Sequence, residues 1–125
     1  MKNNEFLEQL IIKYHNKTGR DLSDEDLGLY LMEILYSGSG QELNRKTAAR
    51  ISYEFIKEVL GYKDMNWGIA SKLKDIYECR VCANAVAQVY VRGIMSSLTD
   101  DFFGLNEIVR EDEMKQIMLN ILELA

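Results

Sequence analysis

The chain has 125 residues and a mass of 14.5 kDa, with 47% hydrophobic and 28% charged residues, two cysteines and no proline. That length supports one domain with a single core, and that balance excludes a disordered, collagenous or membrane-spanning chain. The 15 basic and 20 acidic residues leave a net charge of −5, which argues against nucleic acid or an anionic membrane as the main partner.

Apolar residues at helical spacing mark six segments, and none alternates as a strand does. The first spans 4–17, with Phe6, Leu7, Leu10, Ile11 and Tyr14 on one face, and Gly19 stops it. Its apolar run is short and is flanked by Gln9 and Lys13, so it does not read as a secretory signal and a cytoplasmic chain is expected. Ser23 caps the second segment, and Asp24, Glu25 and Asp26 suit the positive end of its dipole. Leu27, Tyr30, Leu31, Ile34 and Leu35 form its stripe, and Ser37-Gly38-Ser39-Gly40 reads as the loop that ends it. Asn44 caps the third, whose stripe is Ala48, Ile51, Phe55, Val59 and Leu60 before Gly61. A fourth helix is expected from Asn66 through Ile69, Leu73, Ile76 and Tyr77. The fifth covers 81–92, with Val81, Ala85, Val86, Val89 and Tyr90 inward. After a loop at 96–106, the sixth covers 110–124, with Met114, Ile117, Met118, Ile121 and Leu122 inward. The expected fold is all-α: residues 1–125 as a single domain, one compact bundle of five to six short helices.

Residues 26–60 and 64–122 read as two helix–loop–helix units. Leu43 lines up with Val109, Ala48 with Met114, Ile51 with Ile117, and Phe55-Ile56 with Ile121-Leu122. Any capped amphipathic helix shares part of this pattern, so a true repeat and two ordinary helix starts stay equally open. In the second unit, Gly93-Ile94 closes a helix, Asp100-Asp101-Phe102-Phe103-Gly104 forms a loop, and Val109-Arg110-Glu111-Asp112-Glu113-Met114 opens another helix. This succession resembles an S-layer homology repeat. In the first unit, Leu43-Asn44-Arg45-Lys46-Thr47-Ala48 keeps the family arginine as Arg45, and Tyr62-Lys63-Asp64 followed by Trp67 is similar to the family's opening Phe-x-Asp and tryptophan. The second unit departs from the pattern, with Glu111 at the arginine position and no proline in its loop. The resemblance implies a helical scaffold that binds pyruvylated cell-wall polysaccharide at the cell envelope. It implies that Arg45 serves the anionic ligand and that Asp64 and Trp67 belong to the binding motif.

Cys79-Arg80-Val81-Cys82 is a CxxC motif. A zinc site needs four ligands, and the one histidine, His15, lies in a distant segment. The pair reads first as two small side chains in the core. A four-cysteine metal site shared between the chains of a homodimer and a redox pair are the alternatives. The acidic runs at 24–26, 100–101 and 111–113 lack the spacing of a calcium loop. Arg45, Lys46, Arg50 and Lys57 give the third helix a basic side, and its first turn suits a small anion. Trp67, Tyr62, Phe102 and Phe103 sit in loops, where aromatics serve as binding anchors or as plugs on the core.

No catalytic constellation emerges. The expectation is a non-enzymatic binding module without a cofactor and without membrane insertion. Arg45 takes an anionic group, Asp64 completes the motif, and Trp67 or Phe103 supplies apolar contact in a groove between the two units. The partner is an acidic cell-wall glycan or another protein. The alternatives are a small acidic interaction protein of the immunity or inhibitor kind, and a sensor acting through Cys79 and Cys82.

Overall fold

The computed structural model describes residues 1–37 and 40–125, so Gly38 and Ser39 of the expected loop lie outside the described residues. Five α-helices follow in order: α1 (Asn3–Thr18), α2 (Asp24–Tyr36), α3 (Arg45–Glu54), α4 (Ala83–Val91) and α5 (Glu111–Glu123). Among the described residues no strand forms, and only two isolated antiparallel bridges occur, Lys2 with Glu42 and Asn44 with Ile108. The all-α expectation holds. No helix among these residues is long and apolar enough to cross a membrane.

The helix starts follow local chemistry. The Asp26 amide donates to Ser23 Oγ at 3.3 Å, and the Ser23 amide donates to Asp26 Oδ2 at 2.9 Å. This reciprocal pair is a capping box with aspartate in the reaching role. The Thr47 amide donates to Asn44 Oδ1 at 2.9 Å, which caps α3. Within α2, Gly28 stands at φ 79° and ψ 171°, a conformation essentially confined to glycine, and it kinks the helix. Beyond Glu54, α3 widens into a π-helical turn, Phe55–Val59.

The core gathers the predicted stripes. Phe6, Leu7, Leu10, Leu31, Ile51, Phe55, Val86, Val89, Met118 and Ile121 are all buried. The alanines Ala48 and Ala49 on α3 and Ala87 on α4 are also buried, and these two helices pack most extensively. Small side chains let helix backbones approach closely while the larger ones interdigitate around them.

The two segments aligned in the sequence meet in space. The Val109 amide donates to the Leu43 carbonyl at 3.0 Å, and the Arg45 amide donates to the Glu107 carbonyl at 2.9 Å. The starts of α3 and α5 are thus tied back to back, with Leu43 and Val109 as partners.

The expected fourth helix is corrected. Only a 3₁₀ turn forms there, Gly68–Lys72, and the chain then runs through irregular turns to α4. Ala70, Leu73 and Ile76 are buried while Ile69 and Tyr77 are exposed. The amides of Ala70, Leu73 and Ile76 donate to the carbonyls three residues back, those of Trp67, Ala70 and Leu73, at 2.9, 3.1 and 3.3 Å, the bonding of successive tight turns and not of an α-helix. Leu73 is extended, at φ −68° and ψ 119°, and the Lys74 amide donates to the Asp101 carbonyl at 2.7 Å. Asp75 turns inward and accepts from the amides of Phe103 and Gly104 at 2.9 Å each and of Leu105 at 3.4 Å. A buried carboxylate satisfied in this way holds the segment away from a helical path. Val81, expected inward on the fifth helix, precedes α4 and is exposed.

Candidate functional site

The four residues expected to bind separate into two pairs. Arg45 is 1% exposed, although it lies in the first turn of α3. Its Nε donates to the Phe103 carbonyl at 2.9 Å, Nη1 pairs with Glu113 Oε2, and Nη2 donates to the Ser96 carbonyl. Its guanidinium also lies over the Phe103 ring, 4.7 Å from the centroid. Burial pushes the Arg45 pKa down and Arg110 adds to that effect, while Asp75 opposes it. Phe103 is itself fully buried. Neither residue offers a free face to a ligand, which corrects the expectation that both line a binding groove. Phe102, next in the chain, is exposed instead.

Asp64 and Trp67 come together at another place. Trp67 Nε1 donates to Asn84 Oδ1 at 2.9 Å. Asn84 Nδ2 donates to Asp64 Oδ2 at 3.0 Å and to the Tyr53 hydroxyl at 3.2 Å. The Tyr53 hydroxyl donates to Asp64 Oδ1 at 2.7 Å. Burial, together with the bond to Asp64, raises the Tyr53 pKa well above the ordinary phenol range. Gln88, one turn beyond Asn84 on α4, is fully buried. Its side-chain amide exchanges two 2.8 Å hydrogen bonds with the backbone of Met65. The segment 64–67 is therefore fastened to α4 by two amide side chains on one helix face.

This framework supports an aromatic surface. Trp67 is half-buried, and its ring lies 5.8 Å from that of Tyr77, centroid to centroid, at an interplanar angle of 35°. Tyr77 is 66% exposed. Met65 and Ile69, on either side of Trp67 in the chain, are also exposed. The charge around them differs from that of the whole protein. Residues 62–92 carry five basic residues against three acidic ones, and one of the three is the buried Asp75.

Cys79 and Cys82 form a disulfide. Both sulfurs are committed to each other, so the expectation of two unbonded core thiols, and that of thiolate metal ligands, are corrected. Cys82 is buried at the N-terminal boundary of α4, and Cys79 is half-buried.

Sequence reasoning missed Tyr53, Tyr77, Asn84 and Gln88. A signal for two of them was present. Asn84 and Gln88 are polar residues four apart in an otherwise apolar helix, Ala83–Val91, a pattern that places both on one face. Tyr77 carried no such signal, because its exposure depends on the absence of the expected helix.

A cleft with a volume of 440 Å³ lies elsewhere, between α1 and α5. Met1, Leu43, Val109, Met114 and Met118 line it, with Lys13 and Lys115 among its polar residues. No family model, no curated protein and no solved structure matches the chain.

Proposed function

We propose that the protein is a non-catalytic binding module that takes an anionic glycan on the Trp67–Tyr77 face. The observation that carries this reading is an exposed aromatic pair whose tryptophan is held from behind by Asn84. Sugar rings present apolar C–H faces that pack on aromatic rings, and a ring fixed in advance loses little entropy on binding. Lys72, between the two in the chain, and Arg80, just beyond Tyr77, supply positive charge for a carboxylate or ketal-linked acid. The polar groups of Tyr53, Asp64 and Asn84 are spent on one another, which suits a rigid scaffold better than proton transfer. The S-layer homology likeness points to the same ligand class through a different residue, since Arg45 is enclosed.

The test is retention on a glycan array that includes pyruvylated and uronic-acid glycans beside neutral ones. The wild-type chain is expected to hold the anionic glycans. Trp67→Ala and Tyr77→Ala each weaken retention about tenfold, the equivalent of one lost aromatic contact. Binding of neutral and anionic glycans alike, or retention untouched by Trp67→Ala, overturns the reading.

A second reading rests on the α1–α5 cleft. Its floor is methionine-rich, and Lys13, with Lys115 paired to the one acidic lining residue Glu111 at 3.6 Å, favours an acidic amphipathic helix from a partner protein. Lys13→Glu, at an exposed lining residue, weakens such a complex and leaves glycan retention unchanged.

A further inference from the structure

The Cys79–Cys82 bond takes no part in the binding described above, yet it lies between that surface's supports. Tyr77 stands two residues before Cys79, and Asn84 stands two residues after Cys82. Tyr77 packs against one side of Trp67, and Asn84 holds its indole nitrogen. Upstream, the buried Ile76 and the carboxylate of Asp75 anchor the chain. Downstream, α4 anchors it. Across 77–81 the disulfide is the covalent tie, reinforced by single turn bonds such as the Cys82 amide to the Cys79 carbonyl at 3.0 Å.

We propose that Cys79–Cys82 is a reversible redox site opened by a dithiol, and that its reduction releases Tyr77 from Trp67. The consequence for ligand rests on the glycan reading above; the redox step itself does not.

Two features separate this bond from a structural staple. Its sequence separation is three. A loop that short restrains the unfolded chain least, so the bond adds little stability by chain entropy. The two sulfurs are also unequal in access. Cys79 is half-buried, while Cys82 is 3% exposed.

An incoming thiolate attacks Cys79 Sγ. A mixed disulfide forms, and the electron pair of the broken S–S bond leaves on Cys82 Sγ as a thiolate. That thiolate emerges at the N-terminal boundary of α4, where the helix dipole favours negative charge. The second thiol of the reductant then attacks its own sulfur in the mixed disulfide. It departs as a cyclic or protein disulfide, and Cys79 is freed. Two electrons pass from the dithiol to the protein, and the two protein sulfurs end as thiols after protonation.

The experiment uses the intact chain and dithiothreitol as the probe. Trp67 is the one tryptophan, so indole emission reports this site alone. Under native conditions dithiothreitol is expected to expose two thiols per chain to a colorimetric reagent and to shift the emission. Removal of the reductant and reoxidation restore it, while far-ultraviolet circular dichroism stays constant. Cys79→Ser and Cys82→Ser each show the reduced emission from the outset and ignore dithiothreitol. Resistance of the bond to reduction until the protein is unfolded overturns the proposal, and so does reduction with no change in emission. Glycan retention is measured in parallel, with about a tenfold loss expected on reduction if one aromatic contact is released. An emission change with no anionic glycan bound in either state keeps the redox site and removes the glycan reading.

Discussion

Arg45 opens α3, Glu113 lies in the first turn of α5, and their ion pair joins the two helix starts beneath the surface. The same guanidinium reaches the carbonyls of Ser96 and Phe103, so one side chain links three stretches of chain. An enclosed arginine of this kind keeps its charge because every direction it faces offers an oxygen or an aromatic ring.

Removing that charge strands its partners. Arg45→Ala removes the donor from Glu113 and from the Ser96 carbonyl and leaves the Phe103 carbonyl only the Leu98 amide at 3.3 Å, and it is expected to lower the unfolding free energy by about 3 kcal/mol. Arg45→Lys recovers only part of the loss, because an ammonium cannot span the same fork. Urea denaturation followed by circular dichroism measures both. Equal stability of Arg45→Ala and wild type contradicts a buried keystone.

Asp75 organises the loop that carries Phe103. Asp75→Asn keeps the size but leaves one acceptor oxygen for the amides of Phe103, Gly104 and Leu105. The expected cost is about 2 kcal/mol, in the range for charged hydrogen bonds. Hydrogen exchange at these amides becomes faster in the variant, and unchanged protection there argues that the carboxylate is dispensable.

Gly28 admits no side chain at its present backbone angles, φ 79° and ψ 171°. A Cβ added there also meets the Glu58 side chain at 3.2 Å. Gly28→Ala is expected to cost about 1–3 kcal/mol. Thermal unfolding compares it with Gly28→Ala combined with Glu58→Ala. The double variant recovers the steric part and keeps the backbone part.

Tyr53 gives the protein an alkaline limit. Its protonated hydroxyl donates to Asp64, and its pKa in the folded state is raised by burial and by that carboxylate. The raised folded value means the contribution is complete below the unfolded pKa of about 10 and is lost as pH rises above it. The stability gap between wild type and Tyr53→Phe is therefore expected to be constant near neutrality and to shrink above about pH 10. Denaturant melts at neutral and alkaline pH test this, and a gap that widens with pH reverses the assignment.

Much of the fold was legible in the residue pattern. The Ser23 and Asn44 caps act over three residues, so their chemistry is complete within the local chain. The stripes of α1, α3 and α5 repeat at helical spacing, and burial follows that spacing wherever a helix forms. The segment 66–77 misled because its apolar residues fit an α-helix and a 3₁₀ turn with different members inward. Asp64 and Trp67 were legible as candidates, but their shared partner Asn84 lies in α4, 20 and 17 residues away.

The sequence by itself determined where helices start and which faces are apolar, because capping and periodicity are short-range. Only the tertiary structure decided which charges turn inward. An arginine in a first helical turn looks the same whether it meets solvent or an interior. Arg45 is enclosed because Ser96, Phe103 and Glu113 arrive from 51, 58 and 68 residues away. Such partners overcome the desolvation of a charge only when packing delivers them together, and no local pattern records that delivery.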